Sequence, residues 1–304
     1  MSKKIIFFGN ERFATGTRSS LLIINSLINL NYDIVSLVLS QKELKNNRPE
    51  IIDFAKNHNI KIIYFKDNES LYKQLSKLKT KFAILASYGR IIPPKILDLF
   101  IGGVINIHPS LLPKHRGPTP LESVILEGQK ETGISIIKLV PKMDSGPIYS
   151  QQTVAISSDI HKQELADILD QEAAKVLIKV IDDITLGKLN PSPQDDKSAS
   201  YDKMISKKDS ILDPKNYSAI QLERQIRAYE IWPRSILKIN DLDLIILKAR
   251  VLKESFKAGS IYIKDKSFGV GTLDGILIID ELIPLGKSRM SSSAFLAGYK
   301  DRLN

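Results

Sequence analysis

The sequence predicts an α/β protein with two domains: an N-terminal domain on a mostly parallel β-sheet with helices on both faces, and a smaller C-terminal β-barrel domain. Up to about residue 190, short runs rich in Ile, Val and Phe alternate with amphipathic stretches. A polar segment with two prolines follows, and several short β-rich runs occupy the remainder. With 304 residues, 43% of them hydrophobic, the chain is long enough to bury two cores.

Five apolar runs of the N-terminal region have the length and composition of buried parallel strands. They are Ile5–Gly9, Ile34–Leu39, Ile60–Phe65, Phe82–Ala86 and Val104–His108. Intervening stretches such as Ser20–Leu30 and Pro49–His58 carry apolar residues three and four apart, which predicts helices packed on the sheet. This alternation is typical of a parallel sheet covered on both faces, where ligands bind beyond the carboxyl ends of the strands.

The first domain is predicted to span residues 1–189. It ends with two further strands, Ile134–Val140 and Ile148–Ala155, and a long helix, His161–Leu186. Residues 190–206 are polar and contain two prolines, which predicts a linker. The second domain, residues 207–304, is predicted to form a small barrel. Its elements are a helix at Ala219–Tyr229 and strands at Ser235–Asn240, Leu242–Val251, Ser260–Ile263 and Ile276–Leu282.

Composition limits the compartment and the partners. The chain has no cysteine, which excludes disulfides and thiolate metal sites. Its start leads into an apolar strand instead of a signal peptide, and no apolar run approaches the roughly 20 residues of a membrane span. We therefore expect a cytoplasmic protein. The net charge of +10 favours an anionic partner, although a general lysine bias would give the same excess.

Asn106 and His108 stand two residues apart at the end of a predicted buried strand, so their side chains point to the same face. Acyl transfer to an amine passes through an oxyanion, which a neutral donor such as Asn106 can stabilise. The attacking amine must also lose a proton, which His108 can carry near neutral pH. A carboxylate such as Asp144 can fix the tautomer of His108 or relay the proton through water. Spacing alone equally allows an Asn and a His that merely cap a loop.

Three ordered segments resemble the signature of the folate-dependent formyltransferases. They are Asn106–Gly117, which reads NIHPSLLPKHRG, Glu131–Ser135, which reads ETGIS, and Met143–Ile148, which reads MDSGPI. The resemblance implies that Asn106, His108 and Asp144 form the catalytic triad of an enzyme that uses 10-formyltetrahydrofolate as formyl donor. It also implies a Rossmann-like N-terminal domain and an OB-like C-terminal domain.

The resemblance indicates which residues line the folate site. The loop Ser87–Pro93, which reads SYGRIIP, resembles a family loop that walls the pterin pocket, where a glycine suits close approach of backbone to ligand. The folate candidates are therefore Tyr88, Gly89 and Ile91, together with Ser110, Leu111, Leu112 and Pro113 of the family's adjoining loop. Nothing in the sequence supports a metal site.

Two C-terminal segments resemble those family members that formylate methionyl initiator tRNA. Gln221–Ser235 is similar to the opening of their C-terminal domain and Pro284–Ser291 to its close. Residues 207–304 carry 17 Lys and Arg against 12 Asp and Glu, half of the excess positive charge. The candidate tRNA contacts are Arg12, Lys42, Arg48, Arg116, Arg224 and Arg227, whereas Trp232 is expected to pack in the core.

Two departures from the family pattern concern RNA binding. Asn10-Glu11 replaces the usual small residue and proline after the first strand, and Ser40–Pro49 is shorter than the family's basic loop and lacks its glycines. The predicted function is transfer of a formyl group to methionyl initiator tRNA by a monomeric enzyme. The alternatives are a formyltransferase acting on another amine, such as a nucleotide-linked amino sugar, and a non-catalytic RNA-binding protein on the same scaffold.

Overall fold

The chain forms two compact units, which we describe separately in the computed structural model of residues 3–14, 16–18, 20–40 and 49–303. Unit 1 comprises Met1–Pro120, Lys130–Ile156 and Gln163–Lys203. Unit 2 comprises Leu121–Gln129, Ser157–Lys162 and Met204–Asn304. Within the described ranges, no helix combines the length and hydropathy that a membrane span requires.

Unit 1 is built on a seven-stranded sheet with the order β3-β2-β1-β4-β5-β6-β7. Its strands are β1 (Lys4–Gly9), β2 (Asp33–Ser40), β3 (Lys61–Phe65), β4 (Phe82–Ala86), β5 (Gly103–His108), β6 (Glu131–Lys138) and β7 (Ile148–Ala155). The first five are parallel, and β6 and β7 are antiparallel. The structure confirms the predicted mostly parallel, Rossmann-like domain, and the seven predicted strands lie within a few residues of their predicted ends.

Both faces of the sheet are covered. Ile5 to Gly9 are buried without interruption, as are all residues of β4 and β5. A strand buried on every residue cannot show the alternation of a one-sided sheet, which explains the continuous apolar runs of the sequence. On one face, Ile6, Phe8 and Ala83 pack with Leu71 and Leu75 of a helix.

The helices that follow the strands are short except for one. They are α1 (Leu22–Asn29), α2 (Pro49–Asn57), α3 (Asn68–Leu75), α4 (Pro94–Leu97), α5 (Pro120–Glu127) and α6 (Lys162–Thr185). Helix α3 begins at a capping box, in which the side chain of Asp67 accepts a hydrogen bond from the backbone N–H of Ser70 at 2.8 Å. Helix α6 lies one residue inside each end of the helix predicted over 161–186.

Unit 2 contains an antiparallel sheet of order β10-β11-β12-β9-β8, with β13 paired to β12. Its strands are β8 (Ser235–Ile239), β9 (Leu242–Leu252), β10 (Ile261–Lys264), β11 (Ser267–Gly271), β12 (Ile276–Pro284) and β13 (Met290–Ser291). Helix α7 (Ala219–Ala228) begins at a capping box between Ser218 and Gln221, and Phe295 of α8 (Ser292–Tyr299) joins the sheet's core. This small antiparallel β domain is the C-terminal domain that the sequence predicted.

Four features of unit 2 differ from the prediction: strand β11, the short strand β13, helix α8 and the exposure of Trp232. Strand β11 was not predicted because two of its five residues, Gly269 and Gly271, are glycines, which are uncommon in strands. Both are required by space: an added Cβ would lie 2.6 Å from the Leu277 carbonyl oxygen at Gly269 and 2.3 Å from the Lys257 carbonyl oxygen at Gly271. Helix α8 also escaped. Trp232, expected in the core, is 40% exposed.

The segment predicted as a linker is mostly part of unit 1. Residues 190–203 belong to that unit and make two isolated bridges, Ile148 with Ser192 and Arg116 with Tyr201. The backbone groups of Ile148 and Ser192 exchange hydrogen bonds of 2.7 and 2.8 Å. The polar composition that suggested a solvated linker instead supplies hydrogen-bonding partners to neighbouring loops.

Candidate active site

Strand β5 positions the first two residues of the predicted triad. Its buried run ends at His108, and Asn106 pairs with Leu85 of β4 while His108 pairs with Ser135 of β6. Asn106 and His108 are 4% and 5% exposed. Because they are two residues apart on a regular strand, their side chains share one face of the sheet. The structure thus brings both polar groups to the carboxyl end of a central strand.

The hydrogen bond of one ring nitrogen fixes the tautomer of His108. Its Nε2 lies 2.9 Å from the carbonyl oxygen of His115, and since a carbonyl only accepts, Nε2 carries a proton. The other nitrogen, Nδ1, lies 3.7 Å from Oδ2 of Asp144. A second proton taken up at Nδ1 therefore faces a carboxylate, which gives the ring a place to carry positive charge during a reaction.

Asp144 is held in a tight turn that leaves β6. Its φ of 47° lies in the left-handed region, and its Oδ2 accepts a 2.8 Å hydrogen bond from the backbone N–H of Gly117. Two residues on, a Cβ on Gly146 would lie 1.7 Å from the carbonyl oxygen of Lys138. Only glycine allows the chain to fold back this closely on the end of β6. The structure therefore brings Asp144 to His108, as predicted.

The loop after His108 is fixed by side chains of the antiparallel strands. Ser135 Oγ donates to the carbonyl of Ser110 at 2.6 Å and accepts from the N–H of Leu112 at 3.0 Å, and Gln151 Nε2 donates to the carbonyl of Leu112 at 2.8 Å. The hydroxyl of Ser110 donates a hydrogen bond to the carbonyl of Lys114 at 2.8 Å. Ser110 and Leu112 are buried, so of the four predicted folate residues these two shape the loop from beneath it.

The second predicted folate loop offers a glycine and an exposed side chain. Tyr88 is buried and its ring meets that of Phe8 edge-on at 5.3 Å. Gly89, with φ at +68°, has open space where a Cβ would stand, and Ile91 is 74% exposed. Gly89 and Ile91 are therefore available to a ligand, whereas Tyr88 packs the core beneath them.

Arg116, predicted to contact RNA, is fully buried in unit 1. It donates to Gln194 Oε1 through Nε and Nη2, to Tyr201 Oη at 2.9 Å and to Asp196 Oδ1 at 2.7 Å. Burial lowers the pKa of Arg116, but the hydrogen bonds to Asp196 and Tyr201 outweigh it and hold the pKa above its ordinary value. Its donors are committed within the protein, so it is not available to RNA.

The other predicted RNA contacts differ in accessibility. In unit 2, Arg227 is 4% exposed, bonded to both carboxylate oxygens of Glu223 and to the carbonyl of Ile160. Arg224 is partly exposed and donates to the carbonyl of Glu127 at 3.2 Å. In unit 1, Arg12 is partly exposed, with its Nε 3.4 Å from Glu11 Oε1. Lys42 and Arg48 lie outside the described residues.

Sequence reasoning missed the side chains that support the site. The most connected is Gln194, followed by Ser135, Gln151, Tyr201 and Asp202, the last of which places Oδ1 3.1 Å from Nδ1 of His115. Of these, Ser135 lies in a family-like segment but was given no role, and Gln194, Tyr201 and Asp202 lie in the segment interpreted as a linker. Among the described ranges, no group of three or more His, Asp or Glu is placed to hold a metal ion.

Comparison with known proteins agrees with this architecture along the chain. The model of the formyl transferase family matches residues 21–181, and that of the formyl transferase C-terminal domain matches residues 204–300. A methionyl-tRNA formyltransferase of Sulfurihydrogenibium sp. (strain YO3AOP1) is 31% identical, covering 98% of this chain and 97% of the relative. The protein of the same name from Dictyoglomus turgidum is 33% identical, covering 98% of this chain and 96% of the relative.

Two solved structures share the fold. WlaRD, a sugar 3N-formyl transferase crystallised with dTDP and 5-N-formyl-THF, has a TM-score of 0.69 at 20% identity, covering 95% of this chain and all of WlaRD. HypX from Aquifex aeolicus, in complex with tetrahydrofolic acid, has a TM-score of 0.63 at 15% identity. This chain covers 47% of HypX, about half of that longer protein. With both domain models matched and relatives similar from end to end, the chain belongs to the formyl transferase family.

Proposed function

We propose that this enzyme transfers the formyl group of 10-formyltetrahydrofolate to the α-amino group of methionine carried by initiator tRNA. The observation that carries the proposal is that Asn106 and His108 share one face at the carboxyl end of β5, with Asp144 Oδ2 3.7 Å from His108 Nδ1. Its support is end-to-end similarity, at 31% and 33% identity, to proteins named methionyl-tRNA formyltransferase. The C-terminal domain that those relatives share is present as unit 2.

In the reaction, the amine nitrogen forms a bond to the formyl carbon and the bond from that carbon to N10 of the folate breaks. The amine loses one proton and N10 gains one, so no redox step or further co-reactant is needed. Because the donor already carries an activated acyl group, the chain needs no serine or cysteine nucleophile. Much of the rate then comes from holding two substrates in reacting geometry.

Each triad residue has a separate part in this transfer. The Asn106 amide donates to the formyl oxygen as negative charge develops there. His108, with Nε2–H committed to the His115 carbonyl, carries a proton at Nδ1 and stabilises the same charge. Asp144, 3.7 Å from Nδ1, balances the positive ring and accepts the proton of the amine through water.

The folate donor fits the two loops beside the triad. Gly89 leaves open space next to its backbone, which lets the flat, donor-rich edge of a pterin approach backbone groups. Ile91 supplies exposed apolar surface, and the Leu111–Pro113 loop is held by Ser135 and Gln151. These residues bind the co-substrate and leave the chemistry to the triad.

The net positive charge of the C-terminal region supports a tRNA partner, whereas the buried arginines do not. Residues 207–304 carry 17 Lys and Arg against 12 Asp and Glu. Of these, several lysines of unit 2 are exposed: Lys207, Lys208, Lys238, Lys253, Lys257, Lys264, Lys266 and Lys287. Exposed lysines attract phosphates by charge, so we assign the phosphate contacts to them instead of to Arg227.

The experiment that tests the function is incubation of the protein with 10-formyltetrahydrofolate and one of three acceptors: methionyl initiator tRNA, free methionine or a nucleotide-linked amino sugar. We expect formylation of the charged tRNA, with an affinity that falls steeply as salt rises because phosphate contacts release counterions. Preferred formylation of the amino sugar would replace the proposed acceptor. Absence of folate-dependent turnover with all three would remove the proposed activity.

A further inference from the structure

The 192–203 segment joins the two loops that carry the catalytic groups. At one end, Ser192 is bonded to Ile148, the residue where β7 begins after the Asp144 turn. At the other end, Ser200 accepts from the N–H of Arg116 at 3.0 Å, and the N–H of Asp202 donates to the carbonyl of Arg116 at 2.7 Å. All of these residues belong to unit 1. The segment therefore spans from the Asp144 turn to the loop after His108.

One amide in this segment contacts both loops. Gln194 Nε2 donates to the carbonyl of Asp144 at 2.8 Å and to that of Gly146 at 2.7 Å. Its Oε1 accepts from Arg116 Nε at 3.1 Å and Nη2 at 2.7 Å. The orientation of the amide is unambiguous, because the two carbonyls only accept and the guanidinium only donates. All four hydrogen-bonding positions of the side chain are thus used.

These bonds reinforce a turn that also has a backbone hydrogen bond of its own, from the N–H of Ser145 to the carbonyl of Lys142 at 3.3 Å. Asp144 lies at φ 47°, a region that a non-glycine residue occupies at some cost and keeps only when its surroundings fix it. Gln194 donates hydrogen bonds to the carbonyl of Asp144 itself and to that of Gly146. The carboxylate itself accepts a hydrogen bond from Gly117 N–H at 2.8 Å. The amide therefore fixes the backbone of the turn, while the N–H of Gly117 holds the carboxylate.

The partner of Gln194 stands between the supports of both catalytic side chains. The residue before Arg116 supplies the carbonyl that accepts from His108 Nε2, and the residue after it supplies the N–H that binds Asp144 Oδ2. Arg116 is buried, and Asp196 joins it to Lys142 of the Asp144 turn at 3.0 Å. Hydrogen bonds from Arg116 and then from Lys142 hold the pKa of Asp196 below its ordinary value, so Asp196 is a carboxylate at neutral pH.

From this geometry we infer that Gln194 is a positioning residue for the reaction: it holds Asp144 at its distance from His108 by tying the Asp144 turn to Arg116. The inference rests on the proposed formyl transfer. Gln194 lies outside the triad and outside both folate loops, yet it controls the distance between His108 Nδ1 and Asp144 Oδ2. A displacement of about 1 Å in such a gap lowers turnover by about 10²-fold.

Gln194→Glu is the direct test. The substitution keeps the length of the side chain and its bond to Arg116, but it points a carboxylate oxygen at the carbonyls of Asp144 and Gly146, which repel it. We expect kcat to fall about 10²-fold and KM for both substrates to stay within about twofold. Gln152→Glu makes the same chemical change at an exposed position of β7 and serves as the matched control, with parental kcat.

A double-mutant cycle separates positioning from general support. If Gln194 acts through Asp144, then adding Gln194→Glu to Asp144→Asn lowers kcat by less than about twofold further, because the interaction it controls is already lost. The same 10²-fold loss in both backgrounds would overturn the inference, as would a kcat for Gln194→Glu within about threefold of the parent. Should Gln194→Glu not fold by circular dichroism, Gln194→Asn, which keeps the amide but shortens its reach, is carried through the same cycle. The parent is assayed first, and its inactivity would count against the proposed function instead.

Discussion

Replacement of Asp144 by Asn isolates the charge that faces His108. The carboxylate Oδ2 lies 3.7 Å from Nδ1, on the side of the ring away from the Nε2 bond to the His115 carbonyl. An asparagine keeps an oxygen that can accept from Gly117 N–H, so the turn keeps its anchor while the negative charge is lost. The variant therefore changes the electrostatics of the pair more than its shape.

The distance sets the size of the expected effect. Opposite unit charges about 4 Å apart attract by about 4 kcal/mol at an effective dielectric constant of about 20. Asp144 and His108 are both largely buried, with side chains 15% and 6% exposed, so solvent screening removes little of this attraction. Since each 1.4 kcal/mol or so changes a rate tenfold, loss of the charge is expected to lower kcat by about 10³-fold.

Steady-state formylation of methionyl initiator tRNA across the pH range measures the effect. We expect KM for 10-formyltetrahydrofolate to change little, because the folate loops are untouched. Asp98→Asn removes a carboxylate at an exposed position and is the matched control, with parental kinetics expected. A kcat for Asp144→Asn within about tenfold of the parent at every pH, in a variant that unfolds at the parental temperature, would refute the reasoning.

Three further outcomes are expected. Asn106→Ala should lower kcat by about 10²- to 10³-fold with unchanged circular dichroism, since it removes one oxyanion donor, and near-parental kcat would remove that role. Gly146→Ala should yield little folded protein in thermal melts, because its methyl group would overlap the Lys138 carbonyl; a parental melting temperature would contradict this. Burial raises the pKa of Asp170 to about 6 from the ordinary 3.8, against a hydrogen bond from Ser20 that lowers it. The stability that protonated Asp170 gives below pH 3.8 is lost as pH rises through about 6. Asp170→Asn should therefore raise the free energy of unfolding in urea by about 3 kcal/mol at pH 7, and progressively less towards pH 4; a gain independent of pH would exclude this cause.

The parts of the site that were predictable from sequence are local in the chain. Asn106 and His108 were predictable because a short apolar strand ends there and residues two apart share a face. The part played by Asp144 followed from family resemblance, since nothing in the composition of a Lys-Met-Asp-Ser-Gly turn distinguishes a catalytic carboxylate from an ordinary turn residue. The structure brings these three residues together, and their catalytic roles stay a prediction.

The parts of the site that were not predicted depend on contacts between residues far apart in the sequence. Arginine is rarely buried, so Arg116 was predicted to be available to RNA; its burial depends on Gln194, Asp196 and Tyr201, some eighty residues further on. The same polar residues made their own segment look like a linker. A polar run that satisfies a buried guanidinium has the same composition as one that is solvated by water, and only the folded chain separates them.

The division of the chain has a consequence for its synthesis on the ribosome. Leu121–Gln129 and Ser157–Lys162 belong to unit 2, yet they are translated well before α7, whose Arg224 and Arg227 bond to the carbonyls of Glu127 and Ile160. Nearly ninety residues separate Gln129 from the start of α7, a delay of about 5–20 s at roughly 5–20 residues per second. During that interval the nascent protein displays α5 without the helix that later binds it, and a chaperone has time to occupy that surface first.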